Sequence, residues 1–277
     1  SRPPLALPHG ARVAFYLAPN VEHFAIDRPA VSLFGATAAL TPDPLNYGWR
    51  DYGVRVGIWR VMEALDERSL RASVALNSAV CDHYPEIIAE GVKRHWCWVA
   101  HGRDNSTFHT GMTVDEERSL LSSVIHGIER ATGAAPRGWL GPALTETFNT
   151  PRLLSDLGLR YVMDWCNDDE PYHLDVEPGP MVALPYLSEV SDIPIFLLHG
   201  GGPDDFTRAV TDHFDRLYRE GERRPAVMGL GVHPFLIGQP GRIAALERAL
   251  DHIASHEDVW LTTSDEIVDW YLGEATG

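Results

Sequence analysis

The sequence predicts an α/β fold, a distorted (β/α) barrel of about seven βα units, on three observations. Short apolar runs and segments of helical period alternate about seven times along the chain. No stretch of linker-like composition interrupts them, so residues 1–277 read as a single domain. Polar residues cluster where the apolar runs end: Asn20 and Glu22, Asn77, His101 and Asn105, Trp139, Asp164, and His233. A barrel gathers its strand ends at one face. An open doubly wound sheet would gather only those beside its switch point.

Residues 1–10 (SRPPLALPHG) read as an irregular arm. Residues 12–18 (RVAFYLA) form a strand closed by Pro19 and Asn20, followed by the polar turn NVEHF. Several prolines and the small-residue run SLFGATAAL make residues 25–50 a long loop excursion, a length that usually serves function or packs on a partner. Val54, Ile58, Val61, Met62 and Leu65 keep helical spacing over residues 54–66. A strand at 71–76 and a helix at 81–94, with Pro85 near its first turn, come next. The strand at 96–100 ends in WVAHGRDNSTF (98–108), where His101 is followed by Gly102, suited to a tight turn, and by Asn105. Thr113 and Glu116 form a capping box for a helix that ends at Thr132-Gly133. Strands are expected at 137–140, 160–163, 181–184, 226–232 and 259–262, and helices at 150–158, 204–220, 242–255 and 264–272.

The formal net charge is −16 and the isoelectric point about 5.1, which argues against nucleic acid or an anionic membrane surface as partner. The longest apolar runs, such as residues 193–198, are too short to span a bilayer, and the N-terminal residues lack a charged-then-apolar signal pattern. Cys81, Cys97 and Cys166 are odd in number and show no metal spacing. Reduced thiols and a cytoplasmic location are the expectation.

The strand-end clusters resemble those of the polysaccharide deacetylase superfamily, also called the NodB-homology or carbohydrate esterase 4 fold. The resembling segments are RDYGVRVG (50–57), AHGRDN (100–105), PRGWLGP (136–142), YVMDW (161–165) with NDDEPY (167–172), and GVHPFLIGQP (231–240). Within the superfamily the chain looks most like the branch of metal-independent allantoinases and cyclic imide hydrolases. The resemblance implies a distorted barrel that hydrolyses a carbon–nitrogen amide bond. Deacetylases of this fold hold a divalent metal with one aspartate and two histidines four residues apart. Here those histidine positions read His101 and Asn105, and the acidic pair reads Asn20 and Glu22. An amide oxygen is a poor zinc ligand beside imidazole. No cofactor is therefore favoured. If a divalent ion such as zinc is held, Glu22, His101, Asn105 and water would hold it weakly.

Opening a cyclic imide needs an activated water, a stabilised oxyanion and a proton for the leaving nitrogen. An imide nitrogen, flanked by two carbonyls, leaves more readily than an amine, so such a substrate asks less of a metal. Glu22 is the candidate general base, His101 orients water or polarises the carbonyl, and His233 is the candidate acid. Asp51 would orient a catalytic group, and Arg55, four residues on, would bind a carbonyl or carboxylate; a helix-positioning salt bridge is the alternative for this pair. Asn20 and Asn105 are candidate substrate contacts, and Trp139 and Trp165 could wall a flat ring. The stretch His199-Gly-Gly-Gly202 reads as a flexible loop, and Gly229 and Gly231 as plain strand.

Three functions compete: a cyclic imide or ureide hydrolase without a metal, a metal-dependent deacetylase of an N-acetylated sugar or peptidoglycan fragment, and a non-catalytic ligand-binding member of the fold. Position 105 and the missing signal pattern favour the first. Glu22, His101 and His233 together disfavour the third. A small-molecule substrate and a homo-oligomer, a tetramer, are expected, the latter because a monomer must cover the apolar 25–50 excursion itself.

Overall fold

The computed structural model describes residues 3–273; the first two residues of the expected arm and the last four of the expected domain lie outside the described residues. Among the described residues, nine strands form one strongly curled sheet: β1 (Val13–Val21), β2 (Ser73–Leu76), β3 (Cys97–Ala100), β4 (Gly138–Trp139), β5 (Tyr161–Val162), β6 (Tyr172–Leu174), β7 (Met181–Ala183), β8 (Ala226–Val232) and β9 (Val259–Leu261). Their order is β6-β7-β5-β4-β3-β2-β1-β8, with β9 also paired to β1, and every pairing except β6 with β7 is parallel. Just past β7, Leu187 bridges to Leu230 on β8, so the two flanks of the sheet meet and the barrel nearly closes.

The helices are α1 (Pro44–Tyr52), α2 (Ile58–Asp66), α3 (Ser78–His83), α4 (Pro85–Lys93), α5 (Val114–Thr132), α6 (Thr150–Asp156), α7 (Pro203–Glu220), α8 (Pro234–Ile237), α9 (Ile243–Ala254) and α10 (Ser264–Tyr271). Seven parallel strands lead into helices as expected; β5 leads instead into β6 and β7, and β6, three partly exposed residues, had no period to reveal it. None of the helices among the described residues is long and apolar enough to cross a membrane.

Side-chain alternation along β1 sorts the core into two layers. Val13, Phe15 and Leu17 pack outward with Val74, Leu76, Trp98 and Met228 beneath the helices. Ala14, Tyr16 and Ala18 point inward with Ala75, Val99, Tyr161, Val182, Leu184 and Val227. Because β9 stops opposite Phe15, low on β1, α10 starts early and lays Ile267 and Val268 into the N-terminal end of the barrel. Leu7 and Ala11 fill the same layer. With that end plugged, open interior remains at the C-terminal ends of the strands.

Gly229 and Gly231 do more than continue a strand. A Cβ on Gly229 would overlap the Tyr16 ring, and one on Gly231 would overlap Tyr186 Oη. β8 surrenders side-chain volume to two tyrosines that fill the upper barrel.

Several boundaries differ from expectation. The excursion of residues 25–50 ends at residue 43, where Asp43 caps α1 by accepting from Asn46 N, with Pro44 in the first turn. β1 continues through Pro19 to Val21, because β8 stays in register as far as Val232. The helix expected at 81–94 is two, divided at Tyr84 before Pro85, which cannot continue the preceding hydrogen bonds. A wide π turn at Gly53–Gly57 joins α1 to α2 and packs on α8. A Cβ on Gly57 would overlap the Pro234 carbonyl, and one on Gly53 would lie 2.8 Å from Phe235 N. The glycines of RDYGVRVG thus seat the backbone that follows His233.

Gly57→Ala should therefore cost about 1–3 kcal/mol in denaturant unfolding, the range for overpacking a core. Exposed Gly48, in α1 with no neighbouring atom within 4 Å of where a Cβ would stand, should gain about 0.5–1 kcal/mol as Ala. Equal effects of the two substitutions would refute the packing role.

Candidate active site

The strand ends enclose a cavity of about 340 Å³. Asn20, Glu22, His101, Asn105 and His233 line it, and Phe24, Val31, Phe108, Leu144, Tyr186 and Ile193 supply apolar wall. Among the described residues, no Lys or Arg lines it.

Polar groups converge on one carboxylate oxygen. Glu22 Oε1 lies 3.2 Å from His101 Nε2 and 3.9 Å from His233 Nε2, and it accepts a hydrogen bond from Asn105 Nδ2. Glu22 and His101 are almost wholly buried. His101 Nδ1 lies 2.7 Å from the Leu140 carbonyl, which can only accept, so Nδ1 carries a proton. Nε2 can then face Glu22 favourably only with a proton between them.

The direction of Asn105 follows from a backbone donor. The N–H of His23 donates to Asn77 Oδ1 (2.9 Å), so the Asn77 amide nitrogen must point the other way. There Asn77 Nδ2 donates to the His101 carbonyl and to Asn105 Oδ1 (3.0 Å). Asn105 therefore turns its NH₂ toward Glu22, and the Asn105 N–H is itself held by the His23 carbonyl at 2.9 Å. Asn77, noted in the sequence only as a strand-end residue, fixes this arrangement.

His233 stands at the end of β8, and its ring is set by Asp192. Asp192 Oδ2 accepts from His233 N (2.7 Å) and Oδ1 from Nδ1 (2.8 Å), which leaves Nε2 facing Glu22. Burial pushes the His233 pKa down, but the carboxylates of Asp192 and Glu22 outweigh it, and the net shift is upward. Asp192 is fully buried, in a stretch without regular period, so its role could be seen only in three dimensions. Tyr186 escaped notice for the same reason. Asn20 Nδ2 donates to its hydroxyl (3.0 Å), and burial holds the phenol protonated, able to donate into the cavity.

The loop after β4 is strained where it meets the cavity. Ala143 and Leu144, both lining residues, have φ of 53° and 55°, a left-handed conformation costly for residues with a Cβ. Asp164 holds this loop by accepting from Gly141 N at 2.6 Å. Burial raises the pKa of Asp164, with the charge of neighbouring Glu146 adding to the rise, and burial raises that of Glu146 as well.

Four expected site residues lie elsewhere. Asp51 accepts from Tyr84 Oη (2.6 Å), tying α1 to the α3–α4 junction, and does not line the cavity. Arg55 is 69% exposed and pairs with Asp51 at 3.7 Å, the helix salt bridge that was the alternative. Trp139 faces outward from β4, fully buried against the His109 ring. Trp165 is 45% exposed and does not line the cavity. Residue type and nearness to a strand end suggested the tryptophans, and four-residue spacing on RDYGVRVG suggested Asp51 and Arg55, but alternation along the strand and helix phase point them away.

The donor set does not fit a tightly held metal. Glu22 and His101 supply two ligand atoms, but Asn105 presents N–H groups, and its oxygen is committed to Asn77. Among the described residues, the one trio of His, Cys, Asp or Glu whose ligand atoms all lie within 4.8 Å of one another is not in this cavity.

The plugged barrel thus gathers a carboxylate, two histidines and an amide at its open end. No family model matches the chain. A Schizosaccharomyces pombe protein whose name assigns it to the polysaccharide deacetylases is 30% identical over 237 residues, spanning 78% of this chain and 73% of its own length. The crystal structure of the PuuE allantoinase superposes with a TM-score of 0.90 at 27% identity, covering 99% of this chain and 94% of its own. A Pseudomonas aeruginosa structure titled as a polysaccharide deacetylase gives 0.91 at 26% identity, covering 99% and 95%. The chain belongs to the polysaccharide deacetylase family.

If His233 acts as an acid, activity falls as pH rises through its pKa, which stands above the ordinary value of 6.5. Asp192→Asn removes a stabilising charge, so the alkaline limb of kcat/KM should move to lower pH. His233→Ala should lower kcat by about 100-fold or more. An unmoved limb in Asp192→Asn would separate the two residues functionally.

Proposed function

We propose that the protein hydrolyses a carbon–nitrogen bond in a small neutral cyclic imide, ureide or related cyclic amide, without a catalytic metal. The observation that carries this reading is the orientation of Asn105, which gives Glu22 a hydrogen-bond donor where a metal site would need a third ligand. A site without a strong Lewis acid suits a substrate with a good leaving nitrogen.

Glu22 takes a proton as water adds to the ring carbonyl. His101 and the Tyr186 hydroxyl stabilise the oxyanion. The tetrahedral adduct collapses with cleavage of the carbon–nitrogen bond, and His233 Nε2 gives its proton to the departing nitrogen. The single ring-opened product carries a carboxylic acid at one end and the released nitrogen, as an amide, urea or amine, at the other. Glu22 Oε1, 3.9 Å from His233 Nε2, is placed to return the proton it took.

The apolar walls and the lack of a lining cation favour an uncharged ring with an apolar substituent over a carboxylate-bearing ring. They offer little to the hydroxyls of an N-acetylated sugar, the substrate of the competing deacetylase reading. The reading includes a cytoplasmic setting and a homotetramer. Ile26, Leu33, Phe34, Leu40 and Leu45 are 42–57% exposed along the excursion and the start of α1, and a second copy of the chain would cover them.

The test is a screen of chelator-treated protein against succinimide, hydantoin, 5-substituted hydantoins, dihydrouracil, allantoin and N-acetylglucosamine oligomers. We expect turnover of a cyclic substrate to survive chelation, and Asn105→His to raise zinc affinity in the cavity. Activity lost on chelation and recovered with a divalent ion, on an N-acetylated sugar, would overturn the proposal. For the assembly, sedimentation at micromolar concentration should give a tetramer, and a monomer would refute it.

A further inference from the structure

We propose that Asp215, His252 and His256 form a binding site for a divalent transition-metal cation, at the end of the barrel opposite the catalytic cavity. One ligand atom from each lies within 4.8 Å of both others. Asp215 sits in the C-terminal half of α7, His252 in the last turn of α9, and His256 four residues on, just before β9. A cation here would tie α7 to the α9–β9 turn.

The local chemistry favours metal over a simple ion pair. His252 Nε2 meets Asp215 Oδ1 at 2.7 Å, and that contact alone would satisfy two of the three residues. It leaves His256 unexplained. His256 Nδ1 faces the His252 carbonyl at 2.8 Å, so Nδ1 carries the proton and Nε2 presents its lone pair. That is the tautomer a metal needs, fixed by a backbone oxygen.

The rings are also held in place. His252 and His256 stand 4.8 Å apart, centroid to centroid, and Phe214 packs its ring edge-on against both, at 5.9 and 5.0 Å. Tyr218 packs against His256 at 4.9 Å. Ligand atoms of a tetrahedral zinc site are about 3.4 Å apart, given bonds of about 2.1 Å, so closing the trio takes small side-chain shifts. With His252 34% and Asp215 43% exposed, solvent allows those shifts and can complete the coordination. Two imidazoles with one carboxylate select zinc, cobalt, nickel or copper over magnesium or calcium.

The site would stabilise the fold rather than take part in catalysis, so its fate is separable from that of the proposed function. Cobalt(II) titrated into chelator-treated, desalted protein, read by calorimetry and visible absorbance, should bind at one equivalent and raise Tm. His256→Gln, which leaves the Asp215–His252 pair intact, should weaken binding at least tenfold and abolish the Tm shift, with an unchanged circular dichroism spectrum. Asp215→Asn should act in the same direction. His101→Ala should bind cobalt as the unsubstituted protein does. The absence of binding, wild-type binding by His256→Gln, or loss of binding in His101→Ala would each overturn the proposal.

Discussion

A single backbone N–H, that of His23, sets the polarity of the cavity. It obliges Asn77 to present its oxygen, Asn77 then turns Asn105, and Asn105 delivers hydrogens to Glu22. Amide groups have one accepting and one donating end, so each bond in such a chain dictates the next. Because His23 N belongs to the backbone leaving β1, the register of that strand decides what Asn105 can do. The same residue type at position 105, turned the other way, would offer oxygen to a cation. The chemistry of the cavity thus depends on a bond that touches none of the reacting groups.

The histidines are tuned by similar means from different sources. Both have Nδ1 occupied from behind, His101 by a carbonyl on the neighbouring strand and His233 by the buried carboxylate of Asp192. The neutral partner orients its ring without adding charge. The charged partner orients and also favours the protonated form, and with Glu22 it overcomes the penalty of burial. One fold therefore holds two differently tuned imidazoles on either side of a single carboxylate.

The two ends of the barrel divide the labour. α10 and the N-terminal arm pack the interior at one end, and paired glycines on β8 admit Tyr16 and Tyr186 above them. The unfilled volume at the other end becomes the cavity, where the loop after β4 accepts left-handed backbone at Ala143 and Leu144. Strain of this kind survives only where the surroundings over-determine the conformation, and the Asp164–Gly141 bond supplies part of that constraint. The carboxyl of Asp164, read from the sequence as a strand-end residue, acts through the loop it holds.

The alternation of apolar runs and helical periods was enough to predict the barrel, because burying one face of a strand or helix leaves a local imprint on the sequence. The capping box at Thr113 and the strand-end positions of Glu22, His101 and His233 were legible for the same reason. Orientation was not legible. Trp139 ends β4 and Leu140 follows it directly, yet alternation sends the tryptophan to the helices and the leucine into the barrel. Asp51 and Arg55 sit in a motif whose glycines matter for packing, while their own side chains face a neighbouring helix and solvent. Asp192, Asn77 and Tyr186 act on residues 41, 28 and 166 positions away, and no local pattern records a bond across such a distance. Sequence alone determined which chemistry-bearing residues end the strands. The tertiary structure decided which of them meet and which atom each presents, because hydrogen-bond direction is settled only when distant strands come into register.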